Sequence, residues 1–419
     1  MEKEVIQRII IENQYVIKKS ELIKRNFWSE PNLNFVFTGL RRAGKSYCML
    51  QIAQQLLSEG HDVEEFLYFN FEDDRLDTVV LSDLDLIKRT YEEMFDHQPI
   101  FFLDEIQIVE RWEKFARRLA DSKFRVYITG SNAKMLSGDV ATTLGGRYMI
   151  CEVFPFSFDE YLLAHGIDLQ EKNAQYKYHA EISKHFQQYF RFGGLPEQIN
   201  VQNRRAWLSS LYQKIYLGDI VARYQVRQEI SLRLLIKKLA ESVKQPASYN
   251  RLANIVSSAG KKITSDTVID YISHIKDSYL IFSVENYVAK MADKESNKKY
   301  YFTDNGILNL FLLDADTSLL ENQVAIYLHK LYGEQVYYLK GKTEIDFYVP
   351  KHKKAIQVSY SMKDIDTRKR EINGLTELSK SNFEINSYLI ITKDEEEIIS
   401  EQGIEIQVIP VMKWLIQNN

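Results

Sequence analysis

The chain contains 419 residues, of which 45% are hydrophobic and 27% are charged, a composition that predicts a folded protein of about two to four domains. Its formal net charge of −4 excludes whole-chain electrostatics as the basis of nucleic-acid binding, so any such site has to be a local patch. The two cysteines, Cys48 and Cys151, have no metal-ligand spacing, and no apolar run reaches the ~20 residues of a membrane span. We therefore expect a cytoplasmic protein with free thiols and no membrane partner.

The first part of the chain alternates β-prone and helical segments. Residues 34–38 (NFVFT) predict a strand, and a glycine-rich turn and a helix ending near Gly60 follow it. Further strands are predicted at residues 65–71, 100–103, 125–129 and 148–153. This alternation predicts an α/β core over residues 1–165, with a parallel sheet between layers of helices.

Three further segments are predicted beyond this core. Residues 166–230 read as a helical lid or linker, broken at Gly193, Gly194 and Pro196. Residues 231–315 read as three helices followed by a hairpin, the pattern of a winged helix. Residues 316–419 read as a small α/β domain with its own helices and strands.

Residues 39–46 (GLRRAGKS) match the phosphate-binding pattern GxxxxGK[ST] between a predicted strand and a predicted helix. Gly39 and Gly44 allow the backbone to wrap around phosphates, Lys45 supplies positive charge, and the Ser46 hydroxyl suits Mg²⁺. The predicted nucleotide-binding set is Gly39, Leu40, Arg41, Arg42, Ala43, Gly44, Lys45 and Ser46. ATP and Mg²⁺ are the expected ligands.

Two acids end the predicted strand IFFLDE. We expect Asp104 to hold Mg²⁺ together with Ser46, and Glu105 to polarise the attacking water. Two acids alone also fit a solvated strand end, but the phosphate loop favours the catalytic interpretation.

Two later positions leave alternatives open. Ser131 and Asn132 follow the next strand, where they either contact the γ-phosphate and its water or cap a helix. Arg147 either reaches the γ-phosphate of a neighbouring subunit as an arginine finger or pairs with a carboxylate on its own surface. We favour the finger, which implies a homo-oligomer.

Six segments carry a resemblance over nearly the whole chain: GLRRAGKS, FLDEIQ, TGSN, LGGR, PFSFDEY and YFRFGGLPE. They resemble a group of prokaryotic AAA+ ATP-binding proteins with an uncharacterised C-terminal region. The resemblance implies a Walker A motif at residues 39–46, a Walker B motif at Asp104 and Glu105, a first sensor at Ser131 or Asn132, and a finger at Arg147. It also implies a winged helix followed by a fold of the PD-(D/E)XK nuclease type.

A nuclease of that type needs three acid or amide positions and a lysine. Glu321, Asp346 and Gln357 fit the first three, whereas Ser359 stands where the lysine is required. We therefore expect a degenerate nuclease-like site without cleavage. The substitutes evident in the sequence are Lys342, Lys354 and Lys363.

Basic residues crowd one part of the C-terminal region. They are Lys340, Lys342, Lys351, Lys353, Lys354, Lys363, Arg368, Lys369 and Arg370, opposed by Glu344, Asp346, Asp364 and Asp366. This stretch is either a local DNA- or RNA-binding surface or a solvated rim. The presumptive recognition helix carries Asp266, Asp270 and Asp277, so we expect the winged helix to pack on protein or position the tail.

These patterns leave three hypotheses for the function. The first is an ATP-driven machine that acts on nucleic acid. The second is a nucleotide switch in which ATP orders residues 181–224 and exposes a protein-binding surface. The third is a metal-dependent nuclease with an accessory ATPase.

Overall fold

The computed structural model describes residues 1–27, 30, 33–76, 78–136, 138–341 and 343–417. It contains two compact units, one formed by Met1–Phe154 with Asp277–Tyr279 and the other by Pro155–Lys276 with Leu280–Asn419. The finer boundaries predicted after residues 165, 230 and 315 remain predictions.

The first unit is a parallel five-stranded sheet with helices. Its helices are α1 (Lys3–Lys19), α2 (Lys45–Ser58), α3 (Leu81–Met94), α4 (Trp112–Asp121) and α5 (Gly138–Leu144). Its strands are β1 (Asn34–Thr38), β2 (Phe66–Asn70), β3 (Ile100–Asp104), β4 (Val126–Gly130) and β5 (Tyr148–Glu152). Their order is β2-β3-β4-β1-β5. The α/β core with a parallel sheet is therefore confirmed.

Burial explains why these strands form a parallel sheet. Every residue of β3 and β4 is buried, as expected for strands that are covered by helices on both faces. β5 lies at one edge and exposes Met149 and Ile150. At the other edge, Asn13 and Gln14 of α1 donate side-chain hydrogen bonds to the carbonyls of Tyr68 and Phe66 (3.1 and 3.2 Å). These bonds satisfy outward-facing groups of the edge strand β2.

The second unit contains a mixed nine-stranded sheet. Its helices are α6 (Phe158–Leu163), α7 (Ala174–Lys177), α8 (His179–Phe192), α9 (Arg204–Lys214), α10 (Glu229–Glu241), α11 (Tyr249–Ala259), α12 (Ser265–Asp277), α13 (Met291–Ser296), α14 (Asn305–Leu308), α15 (Asp316–Tyr332), α16 (Ile365–Ser379) and α17 (Val411–Gln417). Its strands are β6 (Ala247–Ser248), β7 (Ile281–Asn286), β8 (Asn297–Phe302), β9 (Tyr337–Lys340), β10 (Glu344–Val349), β11 (Lys354–Val358), β12 (Ser387–Thr392), β13 (Glu397–Glu401) and β14 (Ile404–Pro410). The strand order is β13-β14-β12-β11-β10-β9-β7-β8-β6.

One sheet joins the segments predicted as a winged helix and as a separate α/β domain. β7 and β8 pair antiparallel, and β7 also pairs with β9 in parallel, with Glu285 opposite Tyr337. The Tyr287 N–H continues this contact to the carbonyl of Tyr338 at 2.9 Å. The C-terminal strand β9 therefore covers the edge of the hairpin that β7 forms.

The glycine pair of the motif YFRFGGLPE ends α8 in the second unit. Gly193 has φ 77°, and the Gly194 N–H donates to Asp304 Oδ2 at 2.9 Å. Asp304 Oδ1 accepts from the N–H groups of Gly306 and Ile307 at the start of α14 (2.8 and 3.2 Å). This buried carboxylate thus ties the end of α8 to α14. Across the described part of the chain, no helix is both long and apolar enough to cross a membrane.

Candidate functional site

The glycine-rich loop follows β1 and ends where α2 begins at Lys45. Gly39, Arg42 and Gly44 have positive φ angles of 139°, 63° and 99°. A Cβ atom on Gly39 would lie 2.3 Å from the carbonyl oxygen of Val153, so the position admits only glycine. A tight turn that opens a helix presents backbone N–H groups and the positive end of the helix dipole to an anion.

The lysine and serine of the loop make different contacts. The buried Lys45 ammonium donates to the carbonyls of Gly39 and Leu40 (3.2 and 3.1 Å). The Ser46 hydroxyl donates to Asp104 Oδ1 at 3.0 Å. The structure thus brings together the predicted loop and the predicted acid at the end of β3.

Asp104 is surrounded by hydroxyl groups. Its Oδ1 accepts from Ser46 and from Thr129 Oγ1, and its Oδ2 accepts from the Tyr68 hydroxyl at 2.9 Å. Burial raises the pKa of Asp104, and the neighbouring Glu105 adds to the increase, whereas the three hydroxyl hydrogen bonds oppose it. A carboxylate beside a serine hydroxyl is an oxygen donor set of the kind that Mg²⁺ prefers, so these residues fit the expected ion.

Glu105 lies directly after β3 in a left-handed conformation with φ 54°. Its N–H donates to Thr129 Oγ1 at 2.9 Å, and its carboxylate accepts a hydrogen bond from the Gln107 amide. Because β3 and β4 are neighbours in the sheet, Thr129 of β4 contacts both acids. The geometry therefore fixes the relative placement of Asp104 and Glu105.

The remaining predicted residues of this unit are placed as follows. Ser131 is buried just after β4, and its hydroxyl has no hydrogen-bond partner within the described residues. Asn132 is also buried, and its carbonyl accepts from the Met135 N–H at 3.1 Å in a 3-10 turn. Arg147 is half-buried and binds Asp121 Oδ1 at 2.5 Å, which lowers the pKa of Asp121. Arg147 thus makes the second of its two predicted contacts, with a carboxylate of its own unit.

Three residues of this site were missed in the sequence. Thr129 and Tyr68 lie within predicted strands, and only their position near strand ends could have suggested a role. Arg25 lies before β1, yet its guanidinium binds the Ala43 carbonyl inside the loop at 2.8 Å. No local pattern marks it, because its contact depends on the folded chain.

Two of the predicted nuclease-like residues, Glu321 and Asp346, meet in the second unit at a lysine that was not predicted. Lys299 Nζ of β8 lies 3.2 Å from Glu321 Oε1 and 3.1 Å from Asp346 Oδ1. The Tyr301 hydroxyl donates to the same oxygen of Glu321 at 2.8 Å. The Lys299 side chain has no exposed surface. Although burial opposes its charge, the carboxylates of Glu321 and Asp346 raise the pKa of Lys299 above its ordinary value.

The substitute lysines named from the sequence remain predictions. Lys354 contacts the Tyr332 hydroxyl at 3.4 Å, Lys363 is exposed, and Lys342 lies outside the described residues. The lysine that contacts Glu321 and Asp346 belongs to β8, in the segment that the sequence predicted as a winged helix. Such a contact requires the continuous sheet, which no local pattern indicates.

Gln357 and Ser359 make hydrogen bonds with backbone groups. Gln357 accepts from the Asp346 N–H at 2.9 Å and donates to the Glu344 carbonyl at 3.1 Å. Ser359 donates to the Ser361 carbonyl at 3.1 Å. Within the described residues, no three His, Cys, Asp or Glu side chains are arranged to hold a metal ion.

The basic stretch is partly neutralised. Its ion pairs are Lys340–Glu344 (3.7 Å), Lys353–Glu384 (2.6 Å), Arg368–Glu397 (2.8 Å) and Arg370–Glu371 (2.6 Å). Lys351, Lys363 and Lys369 are exposed. The positive surface is therefore smaller than the sequence suggests.

The parallel sheet, the glycine-rich loop and the acids at the end of β3 together define an AAA-type P-loop ATPase fold. In agreement, residues 32–162 match the model of an AAA domain, and residues 183–318 match that of a domain of unknown function. An uncharacterized protein of Methanocaldococcus jannaschii is 30% identical over 429 residues, which cover 98% of this chain and 95% of that protein. This chain belongs to the family of that protein.

Two further similarities complete the comparison. An uncharacterized protein of Haemophilus influenzae is 30% identical over 393 residues, or 91% of this chain and 94% of that protein. Among solved structures, a Walker-type ATPase of Pyrococcus abyssi aligns with a TM-score of 0.41 and 11% identity, over 74% of this chain and 95% of that chain.

Proposed function

We propose that this protein binds ATP with Mg²⁺ at residues 39–46 and hydrolyses it. The observation that carries this proposal is the 3.0 Å contact between the Ser46 hydroxyl and Asp104, beside the Lys45 ammonium. Mg²⁺ bound by Ser46 and Asp104 would neutralise charge that develops on the phosphate oxygens. Lys45 and the loop N–H groups bind and orient the same oxygens.

In this proposal Glu105 activates the attacking water. Asp104 is buried, and both of its oxygens accept hydrogen bonds from hydroxyls, one of them from Ser46, with which it would hold Mg²⁺. Glu105 is held by the neutral amide of Gln107 and by its own N–H on Thr129. A carboxylate fixed next to the phosphate site is suited to accept a proton from water.

We further propose that ATP turnover is coupled to nucleic-acid binding. The supporting feature is a group of three exposed lysines in the C-terminal basic stretch, Lys351, Lys363 and Lys369. In this proposal α10, α11, α12 and the β7–β8 hairpin form a winged helix that positions the basic stretch and does not bind nucleic acid itself, because α12 is acidic. Arg147 as a finger between subunits of a homo-oligomer remains part of this proposal. The finger requires Arg147 to leave Asp121 when subunits associate.

A nucleotide switch that binds a protein partner is the second candidate. A π-helical segment at Ile215–Ala222 lies within the proposed lid of residues 181–224. Such segments are uncommon and are frequently found at functional sites. A metal-dependent nuclease is disfavoured, because the buried Lys299 ammonium lies between the two acids that would have to bind the metal.

The steady-state ATPase rate of wild type and Glu105→Gln tests this function. We expect Glu105→Gln to lower kcat about 10²-fold or more while ATP binding is retained, because the amide cannot accept the proton of water. Glu110→Gln, an exposed acid in the same segment, is the matched control and should retain the wild-type rate. Equal rates for wild type and Glu105→Gln would contradict the assignment.

The same ATPase assay distinguishes nucleic-acid coupling from the protein-binding switch. Single-stranded and duplex DNA and RNA are added across a salt series. Stimulation that weakens steeply with salt supports nucleic-acid coupling. A rate that is independent of every nucleic acid favours the switch.

A further inference from the structure

Arg25 is a buried charged residue that contacts the phosphate loop from the segment between α1 and β1. Its side chain is only 7% exposed. Nη1 donates to the carbonyl of Ala43 and Nη2 donates to the carbonyl of Phe154, both at 2.8 Å. One planar guanidinium therefore connects the middle of the loop to the segment that follows β5.

The backbone of Arg25 is also fixed. Its N–H donates to Gln51 Oε1 at 2.9 Å, and its carbonyl accepts from Gln51 Nε2 at 3.0 Å. Gln51 belongs to α2, the helix that the loop opens. Arg25 is thus held by the helix on one side and holds the loop on the other.

The hydrogen bond from Arg25 to the Ala43 carbonyl also orients the peptide bond between Ala43 and Gly44. Ala43 lies between Arg42 and Gly44, both of which have positive φ. In a planar trans peptide the C=O and the following N–H point in opposite directions. Since Arg25 fixes the Ala43 carbonyl, it also directs the Gly44 N–H away from Arg25, toward the other side of the loop. The N–H groups of such a loop are the donors that bind phosphate.

We propose that Arg25 is a positioning residue that holds the phosphate loop in its nucleotide-binding conformation. It acts through Ala43 and does not contact the nucleotide itself. Its charge also adds to the positive potential of the loop. This inference rests on the proposed ATP-binding function of the same loop.

The test compares Arg25→Ala with wild type by titration with a fluorescent ATP analogue and by ATPase kinetics. We expect the dissociation constants for ATP and ADP to rise about tenfold to hundredfold in Arg25→Ala, in the range seen when a supporting side chain is removed. The change should be larger in KM than in kcat, because Asp104 and Glu105 are unaltered. Added methylguanidinium should restore affinity by occupying the space of the lost side chain.

Two variants sharpen the comparison. Arg25→Lys should regain only part of the affinity, since one ammonium lacks the fork that reaches two carbonyls. Lys24→Ala removes an exposed neighbouring cation and should bind ATP as wild type does. If Arg25→Ala does not fold, Arg25→Lys and Gln51→Ala decide the question together, since both retain a cation and weaken the support of the loop.

The outcomes separate this inference from the proposed function. A folded Arg25→Ala with wild-type affinity, or one that methylguanidinium does not rescue, overturns the positioning role while ATP binding by wild type stands. Wild-type affinity in both substitute variants overturns it as well. Failure of wild type itself to bind ATP overturns the proposed function instead.

Discussion

Thr129 links the two acids of the nucleotide site, because one oxygen atom of its side chain contacts both Asp104 and Glu105. Its hydroxyl donates to the carboxylate of Asp104 and accepts from the N–H of Glu105. Burial raises the pKa of Asp104, and the hydrogen bonds from Thr129, Tyr68 and Ser46 counteract this effect. Loss of the hydroxyl would therefore disturb the ionisation of one acid and the orientation of the other.

Thr129→Val preserves the shape of the side chain and removes this oxygen. We expect kcat for ATP to fall about 10- to 100-fold, the usual range for residues that orient catalytic groups. ATP affinity should change little, because Thr129 does not belong to the phosphate loop. Thr129→Ser retains the hydroxyl and should stay close to the wild-type rate. A Thr129→Val enzyme with full kcat would show that the two acids need no such support.

The site residues that could be predicted from the sequence belong to motifs that lie within one short segment of the chain. The loop at residues 39–46 and the acids after β3 have their spacing and flanking strands in adjacent residues. Thr129 and Arg25 act on groups that are 25 and 18 residues away, and Lys299 acts on Asp346 47 residues away. Such contacts depend on strand order and packing, which a local pattern does not encode.

At the scale of elements, the junction between α8 and α14 explains a motif that the nucleotide site does not use. A Cβ atom on Gly193 would lie 2.1 Å from Asp304 Oδ2, and one on Gly194 would lie 2.2 Å from the carbonyl of Phe156. Both glycines therefore allow close approach of the chain, and Asp304 satisfies N–H groups on both sides of the junction. The helix break at this motif could be predicted, but its partner could not.

Gly193→Ala should destabilise the second unit. The substitution imposes a strained backbone conformation at φ 77° and forces Asp304 away from the N–H groups that it binds. We expect the free energy of unfolding to fall by about 2–4 kcal/mol, from strain together with disrupted buried hydrogen bonds. Gly166→Ala is the control for a positive φ, since Gly166 has φ 79° but no atom within 4 Å of an added Cβ.

Denaturant unfolding of the two variants and wild type measures the difference. Gly166→Ala should cost about 1 kcal/mol from the backbone conformation alone. Equal losses in Gly193→Ala and Gly166→Ala would mean that the contact with Asp304 contributes nothing.

At the scale of the whole molecule, the second unit shows how segments that read as separate domains share one sheet. The individual strands could be predicted from their β-prone residues, but the parallel pairing of β7 with β9 could not. This pairing places Glu285 opposite Tyr337, although β8 and α15 lie between these residues in the chain. Lys299 lies where this sheet meets α15, and its ammonium contacts acids from α15 and β10. The ion cluster therefore links three elements of the unit.

Lys299→Met tests whether this cluster holds the unit together. The substitution retains an unbranched side chain of similar length but leaves Glu321 and Asp346 without their buried counter-charge. Breaking a buried ion pair on one side typically costs about 3–5 kcal/mol. We expect a fall of roughly 10 °C in the melting temperature, at about 2–4 °C per kcal/mol for a unit of this size.

Lys298→Met is a stringent control, because Lys298 is the neighbouring residue of β8 and also binds two carboxylates, those of Glu285 and Glu295. Those carboxylates are 34% and 65% exposed, so water can replace the lost ammonium and the expected cost is below about 1 kcal/mol.

The double variant Lys299→Met/Asp346→Asn removes one unpaired charge and should recover part of the lost stability. If Lys299→Met and Lys298→Met melt at the same temperature, the buried contacts of Lys299 with its two carboxylates do not contribute to the stability of the second unit. A large loss in Lys299→Met that Asp346→Asn partly reverses would identify the buried charges, rather than packing of the lysine stem, as the link between β8, α15 and β10.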